Sequence, residues 1–262
     1  MREDLIQRYD LRVPRYTSYP TAPHFGPRVD AARYERWLGE LDPKTPLSLY
    51  AHVAYCAEMC WFCGCHTKAT RKYAPVADYL DALLDEVRLV TSKLPARMGV
   101  RHIHFGGGSP TVLTPGDFTL MVETLRDHFD LLPGAEIAVE LDPRTADEAY
   151  VAAMARAGVT RASIGVQDFN PRVQEAINRI QPFSLTERVI GWLRAHGIGA
   201  INMDLCYGLP HQTVESVLET VERAASLKPA RIALFGYAHV PWMKTHQRLI
   251  REDVLTGMAE RW

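Results

Sequence analysis

A parallel α/β fold, read as a partial (β/α)6 barrel, is what this sequence of 262 residues predicts, on three observations. Short apolar runs recur along the chain, each followed by a helical pattern, and strand–helix repetition builds parallel strands joined by right-handed crossovers. The runs end in glycine-rich or polar segments, where barrels of this kind carry their functional groups. The length suffices for one large domain with a sizeable core, and 47% of the residues are hydrophobic. A doubly wound sheet is the alternative that the same alternation allows.

The elements follow in order. Strand-like runs lie at 48–53, 102–105, 137–141, 162–166, 200–205 and 232–237. After the first, Leu80, Leu83, Leu84, Val87 and Val90 share one helix face; after the second, Phe118, Met121, Val122, Leu125 and Phe129 do the same. Asn170-Pro171 suits an N-cap with proline at the first helical position. Ser184 and Glu187 read as a capping box opening a helix that buries Val189, Ile190 and Leu193. Thr213 can cap a further helix with Val217, Leu218 and Val221 inside. The expected division is an N-terminal extension, 1–35, packing near the active-site mouth, and the barrel over 36–262.

Composition narrows the function classes. The net charge of −1 predicts neither nucleic acid nor an anionic membrane as partner. No apolar run approaches the roughly 20 residues that span a bilayer. The opening MREDLIQRYD mixes acidic and basic residues and lacks a signal-peptide pattern. A cytoplasmic monomer is expected.

Four of the five cysteines, Cys56, Cys60, Cys63 and Cys65, fall within ten residues, spaced C-x3-C-x2-C-x-C. Disulfides are rare in the cytoplasm. Structural zinc ordinarily uses two separated knuckles, and only one compact run is present, although His66 follows it directly. An iron–sulfur cluster remains, since compact cysteine runs are a recurring way to hold one. Three protein ligands on a four-iron cluster leave one iron open, as a catalytic zinc keeps one position open. Tyr55, Trp61 and Phe62 interleave the cysteines and would shield a cluster from water.

The remaining strand ends carry Gly106-Gly107-Gly108-Ser109-Pro110-Thr111, then Glu140 and Asp142, Gln167 and Asp168, Asp204 running into Tyr207-Gly208-Leu209-Pro210, and finally Tyr237, Ala238 and His239. Each has a plain structural reading. A glycine triplet often makes a tight turn, and neither phosphate-loop pattern is complete here. A strand-end acid often caps the next helix. His102 and His104 alternate on a strand and suit packing or exposure better than ligation; Cys206 reads as a small buried hydrophobe. Together, however, these ends face one mouth above the cysteines. There, glycine backbone groups could meet an amino group and a carboxylate such as Glu140 could bind a ribose hydroxyl or an ammonium.

The stretch Cys56-Ala-Glu-Met-Cys60-Trp-Phe62-Cys63, with an aromatic before the third cysteine, resembles the radical S-adenosylmethionine (SAM) superfamily. The ordered phrases Pro14 to Ala22, Pro46 to His52, Cys63-Gly64-Cys65, Gly106 to Thr111, Glu140 to Arg144, Gly165 to Asn170, Asn202 to Pro210 and Tyr237 to His239 narrow it. Together they are similar to the oxygen-independent coproporphyrinogen III oxidases. The resemblance implies a radical SAM barrel with Cys56, Cys60 and Cys63 ligating a [4Fe–4S] cluster. Cys65 matches the additional, non-ligating cysteine; it is the catalytic candidate and the mark that separates these enzymes from haem-chaperone relatives. Tyr50, Gly107 and Glu140 match contacts to the cluster-bound SAM. Phe62, Gly108, Ser109, Gln167, Arg179, Asp204 and Ala238 match positions holding a second SAM, two per site. The implied reaction decarboxylates two propionates of coproporphyrinogen III to vinyl groups, giving protoporphyrinogen IX, with electrons from a flavodoxin- or ferredoxin-like donor. The alternative is a haem-chaperone-like or catalytically incompetent cluster-binding protein on the same scaffold. The chain departs from the family pattern at Ala54-Tyr55, where Pro-Phe is usual, and at Ser109, where threonine is usual. Family members are longer, so the helical C-terminal domain is expected to be absent and the chain truncated at Trp262. Arg15, Arg144 and Arg179 are candidates for meeting the substrate's carboxylates.

Overall fold

In the computed structural model, which describes residues 3–9, 21 and 24–257, the chain runs in a repeating order. It passes through α1 (Glu3–Tyr9), α2 (Ala31–Gly39), β1 (Leu47–Val53), β2 (Tyr55–Cys56), β3 (Lys68–Ala69) and α3 (Ala74–Ser92). Next come β4 (Gly99–Gly107), α4 (Pro115–His128), β5 (Asp130–Leu141), α5 (Glu148–Arg156), β6 (Arg161–Gln167), α6 (Pro171–Ala176) and α7 (Phe183–Ala195). The series closes with β7 (Ala200–Tyr207), α8 (Val214–Ser226) and β8 (Arg231–Gly236), followed by short 3₁₀ turns at Thr245–Leu249 and Glu252–Val254.

Six strands form one sheet in the order β1-β4-β5-β6-β7-β8, every neighbouring pair parallel. That order follows the chain without a reversal. A doubly wound sheet reverses at a switch point and puts helices on both faces; a same-sense progression keeps them on one. The alternation expected from the sequence is therefore a partial barrel, with β1 and β8 as its edges. The phrase Pro14 to Ala22, apart from Thr21, lies outside the described residues, as do residues 1–2, 10–13 and 23 of the expected extension 1–35. Of its described part, α2 spans residue 35.

Successive side chains of a strand point to opposite faces, and here the faces differ. Toward the helices stand Ile103, Phe105, Ile137, Val139, Ala162, Ile164, Ile201 and Met203, packed with Leu80, Leu84, Phe118, Met121, Val151, Met154, Val189 and Leu193 into the main core. Toward the other side stand His104, Glu136, Glu140, Arg161, Ser163, Asn202, Asp204 and Arg231, which line a cavity. A parallel sheet covered by apolar helices on both faces reads as continuous hydrophobic runs. The polar parity of these strands marks a lumen built to hold a polar ligand.

The helix starts correct one expectation. Asn170 caps α6 by accepting from the Arg172 N–H, and Thr213 and Ser216 form a capping box at α8. Ser184 is not an N-cap: α7 begins at Phe183 behind Pro182, whose side chain offers no acceptor. Pro182 is itself extended (φ −55°, ψ 147°) and the helical backbone starts at the next residue, which places Ser184 within the first turn. β5 also starts at Asp130, earlier than the apolar run 137–141 suggests, because its first residues pair with Gly99 and Val100 of β4.

Candidate active site

The cysteine loop leaves β1 and is tied on three sides. At its base β2 and β3 pair in parallel, with Thr70 N–H donating to the Cys56 carbonyl at 2.9 Å. From the α6–α7 connection, the Ile177 carbonyl accepts from Trp61 N–H at 2.9 Å, and Asn178 Nδ2 donates to the Met59 carbonyl at 2.9 Å. Asn178 reaches this position with φ +53°, a left-handed conformation that asparagine tolerates. From the final 3₁₀ turns, Gln247 Nε2 donates to the Phe62 carbonyl (2.9 Å) and Lys244 Nζ to the Cys65 carbonyl (2.9 Å), while His246 Nε2 bonds the Cys63 carbonyl (2.7 Å).

The loop forms one wall of a cavity of about 780 Å³. Cys56, Cys60, Cys63 and Cys65 line it, together with Phe62, Gly107, Gly108, Ser109, Glu140, Gln167, Arg179, Asp204 and Ala238. Of the residues matched to cluster ligation, SAM binding and catalysis, all but Tyr50 are thus brought to one space. Tyr50 is 59% exposed on β1 and stacks on His104 with ring centroids 5.7 Å apart. His104 Nε2 in turn lies 3.0 Å from Glu140 Oε1, so Tyr50 meets the site through that pair. Asp168 is not at the mouth. It is wholly buried, with Gln212 Nε2 donating to it at 2.5 Å and Thr220 Oγ1 at 3.3 Å, and it serves as a structural anchor. Cys206 is buried among Leu209, Val173 and Tyr237, the small-hydrophobe role expected of it, and also borders the cavity.

Each member of the glycine triplet answers a different neighbour. A Cβ on Gly106 would meet the Glu140 carboxyl at 2.9 Å. Gly107 has φ +114° and faces the His52 ring. Gly108 sits 2.4 Å, measured from an added Cβ, from both the Tyr55 carbonyl oxygen and Thr67 Oγ1. The triplet thus carries the strand across the base of the cysteine loop.

The thiols differ in environment. Burial pushes the Cys56 thiol up to about 11, partly offset by Thr67 Oγ1, 3.4 Å from its sulfur. A hydrogen bond from the Cys65 side chain holds Cys63 down to about 6, and the Cys65 backbone N–H also donates to its sulfur at 3.3 Å. The same pairing, followed by burial, drives the Cys65 thiol up. Cys60 is buried, and two guanidiniums donate to its sulfur: Arg144 Nη2 at 3.2 Å and Arg179 Nη1 at 3.4 Å. Both also grip Asp142 Oδ2, at 2.7 and 3.1 Å. Burial would raise the Asp142 carboxyl, but Arg179 and Arg144 outweigh it and hold it at about 2. Asp204 is raised by burial and steadied by Ser163 Oγ (2.9 Å) and Asn202 Nδ2 (2.8 Å).

The donor set suits a multi-iron cluster. Among the described residues no group of three His, Cys, Asp or Glu side chains converges on a single ion. The three thiols instead border a common cavity, as needed when each binds a different iron. Arg179 Nε is buried there without a partner among the described residues, an orphan donor that suits an anionic ligand group.

A single parallel sheet with a cysteine loop after its first strand and polar groups at its other strand ends defines a class. Residues 50–224 match the radical SAM superfamily, and the chain belongs to it; membership implies a [4Fe–4S] cluster and SAM. Within that class it is 54% identical over 256 residues to an oxygen-independent coproporphyrinogen III oxidase of Bradyrhizobium diazoefficiens, an alignment covering 97% of this chain and 57% of that protein. It is 45% identical over 253 residues to the anaerobic coproporphyrinogen III oxidase 1 of Cereibacter sphaeroides, covering 97% and 56%. Coproporphyrinogen III oxidase from Escherichia coli, a radical SAM enzyme, superposes with a TM-score of 0.91 at 35% identity, covering 98% of this chain and 57% of that one. The chain therefore spans a little over half the length of these relatives. Among the described residues no helix is long and apolar enough to cross a membrane.

Proposed function

We propose that this chain forms the catalytic barrel of a SAM-dependent coproporphyrinogen III oxidase, which converts two propionates of coproporphyrinogen III to vinyl groups and gives protoporphyrinogen IX. The observation that carries the reading is the meeting of three loop thiols with Gly107, Gly108, Glu140 and Asp204 around one cavity, in a chain 54% identical to a protein of that name. A [4Fe–4S] cluster held by those thiols would supply, once reduced, the one-electron cleavage of SAM; each propionate would lose one hydrogen atom and carbon dioxide, and the electron left over would pass to an acceptor.

The chain's own residues then have these roles. Cys56, Cys60 and Cys63 ligate three irons. Gly107 presents its backbone at close range to the cluster-bound SAM. Glu140, whose Oε2 accepts from Gly107 N–H at 3.4 Å and whose Oε1 pairs with His104, binds a hydroxyl or ammonium of that SAM. Tyr50 orients this pair by stacking on His104. Phe62, Gly108, Ser109, Gln167, Arg179, Asp204 and Ala238 surround a second SAM, with Asp204 facing its polar groups. Cys65, next to the ligands but not among them, acts on the substrate. A flavodoxin- or ferredoxin-like protein delivers the electron.

Anaerobic reconstitution, followed by SAM, strong reductant and coproporphyrinogen III, tests the reading. 5′-Deoxyadenosine together with protoporphyrinogen supports it. 5′-Deoxyadenosine alone would mean that this chain cleaves SAM without coupling it to decarboxylation. Stable haem binding with no SAM cleavage would overturn the reading in favour of a haem carrier.

A further inference from the structure

We infer that Arg144, Asp142 and Arg179 form a charged clamp that sets the reduction potential of the cluster through Cys60. The inference rests on the reading that Cys60 is a cluster ligand. Of the three ligand thiols, Cys56 has one neutral hydroxyl beside it and Cys63 takes the Cys65 side chain and backbone N–H, all neutral groups, but Cys60 receives two guanidinium donors, at 3.2 and 3.4 Å. Those guanidiniums converge from different parts of the chain, Arg144 from the turn after β5 and Arg179 from the turn after α6.

The clamp is well fixed. Asp142 is bound by Arg144 through Nε at 3.0 Å and Nη2 at 2.7 Å, and by Arg179 through Nη1 at 3.1 Å. Arg179 Nη2 is further held by the Gly165 carbonyl at 2.6 Å, and a Cβ at Gly165 would stand 3.0 Å from that nitrogen. The three side chains are only 15%, 14% and 7% exposed in the order Arg144, Asp142, Arg179. One carboxylate between two guanidiniums leaves one positive charge in excess, and it lies against sulfur in a poorly hydrated place. Charges there interact far more strongly than at the surface.

Taking up an electron makes a thiolate-ligated cluster more negative. A fixed cation and N–H···S hydrogen bonds favour that form and raise the potential, since hydrogen bonds to the sulfurs and local charge are among the terms that tune such clusters. If the pair served only to hold the loop, Asn178 and the Ile177 carbonyl would already supply neutral contacts for that purpose. Arg144 and Arg179 are thus positioning and tuning residues for the electron-accepting step.

The test is a redox titration of the anaerobically reconstituted chain, followed by electron paramagnetic resonance, with iron content measured in each sample. Arg144→Gln should shift the reduction equilibrium about tenfold toward the oxidised cluster, which is ~59 mV for a one-electron couple. Arg144→Lys, which keeps the charge, should recover most of that shift. Asp142→Asn, which removes the negative charge, should move the equilibrium the other way. Equal potentials in wild type, Arg144→Gln and Arg144→Lys at equal iron would overturn the inference, and so would equal shifts in both arginine variants. Should Arg144→Gln not retain iron, the other two decide: both must keep the cluster, Arg144→Lys near the wild-type potential and Asp142→Asn above it, and a fall in both overturns the clamp. Wild-type chain that assembles no cluster would instead overturn the ligand assignment beneath it.

Discussion

Gly108→Ala tests how closely β4 must pass beneath the cysteine loop. The added Cβ would lie 2.4 Å from the Tyr55 carbonyl oxygen and 2.7 Å from its carbon, both backbone atoms adjoining Cys56. Ordinary contact begins near 3.4 Å, so about 1 Å of backbone movement is required. That movement would strain two short links, Gly108 N–H to the Val53 carbonyl at 2.7 Å and Ser109 N–H to the Tyr55 carbonyl at 2.9 Å. Overpacking of this sort costs about 1–3 kcal/mol, and in a chain of this size each kcal/mol lowers the melting temperature by roughly 2–4 °C. Thermal unfolding of the metal-free protein should show that loss. Iron bound after reconstitution should fall too, because Cys56 moves with Tyr55. Gly64→Ala is the control: it lies in the same loop, and a Cβ there meets nothing within 4 Å. If Gly108→Ala unfolded and loaded iron like Gly64→Ala, the close crossing would be wrong.

Further outcomes follow from the same geometry. Cys56→Ser, Cys60→Ser and Cys63→Ser should each abolish stable binding of about four irons, whereas Cys65→Ser should keep the iron and lose product; iron retained by any of the first three would remove that residue from the ligand set. Asp142, held at about 2 against an ordinary 3.8, contributes stability present in full above the unfolded value and lost as pH falls toward 2. The contribution is about 2 kcal/mol, so metal-free Asp142→Asn should show a flatter loss of melting temperature below pH 4 than wild type. Parallel curves would contradict the buried pairing. Asp204 has its carboxyl raised by burial, so its charge is lost at a higher pH than for an exposed aspartate. If it binds SAM as a carboxylate, SAM affinity should weaken on mild acidification in wild type and lose that component in Asp204→Asn, as followed by equilibrium binding.

What the sequence revealed was mostly what is contiguous in it. The cysteine loop, the glycine triplet and the strand-end acids each lie within a few residues, and barrel topology carries them to one mouth. Residues whose meaning depends on distant partners were harder to read. Arg144 and Asp142 stand 84 and 82 residues from Cys60 and Arg179 119, and nothing local links them to its sulfur. Asp168 looked like Asp204, a strand-end acid, yet a turn toward Gln212 and Thr220 buries it. The alternation implies a helix where α5 lies, but its bounds are harder to read, because its buried residues, Tyr150, Val151, Ala153 and Met154, include small side chains that weaken the periodic signal; its N-cap Asp147 is the available clue. The polar parity of β5, β6 and β7, with Glu136 and Glu140, Arg161 and Ser163, Asn202 and Asp204 on one face, was present in the sequence and would have identified the lumen directly.

The central claim is that three thiols hold a cluster whose remaining iron is open to SAM. Electron paramagnetic resonance of the reduced, reconstituted chain, recorded before and after adding SAM, tests it most directly. The expected result is a reduced-cluster signal that changes on SAM addition in wild type and is missing in Cys60→Ser. A signal indifferent to SAM, or one that survives loss of Cys60, would contradict it.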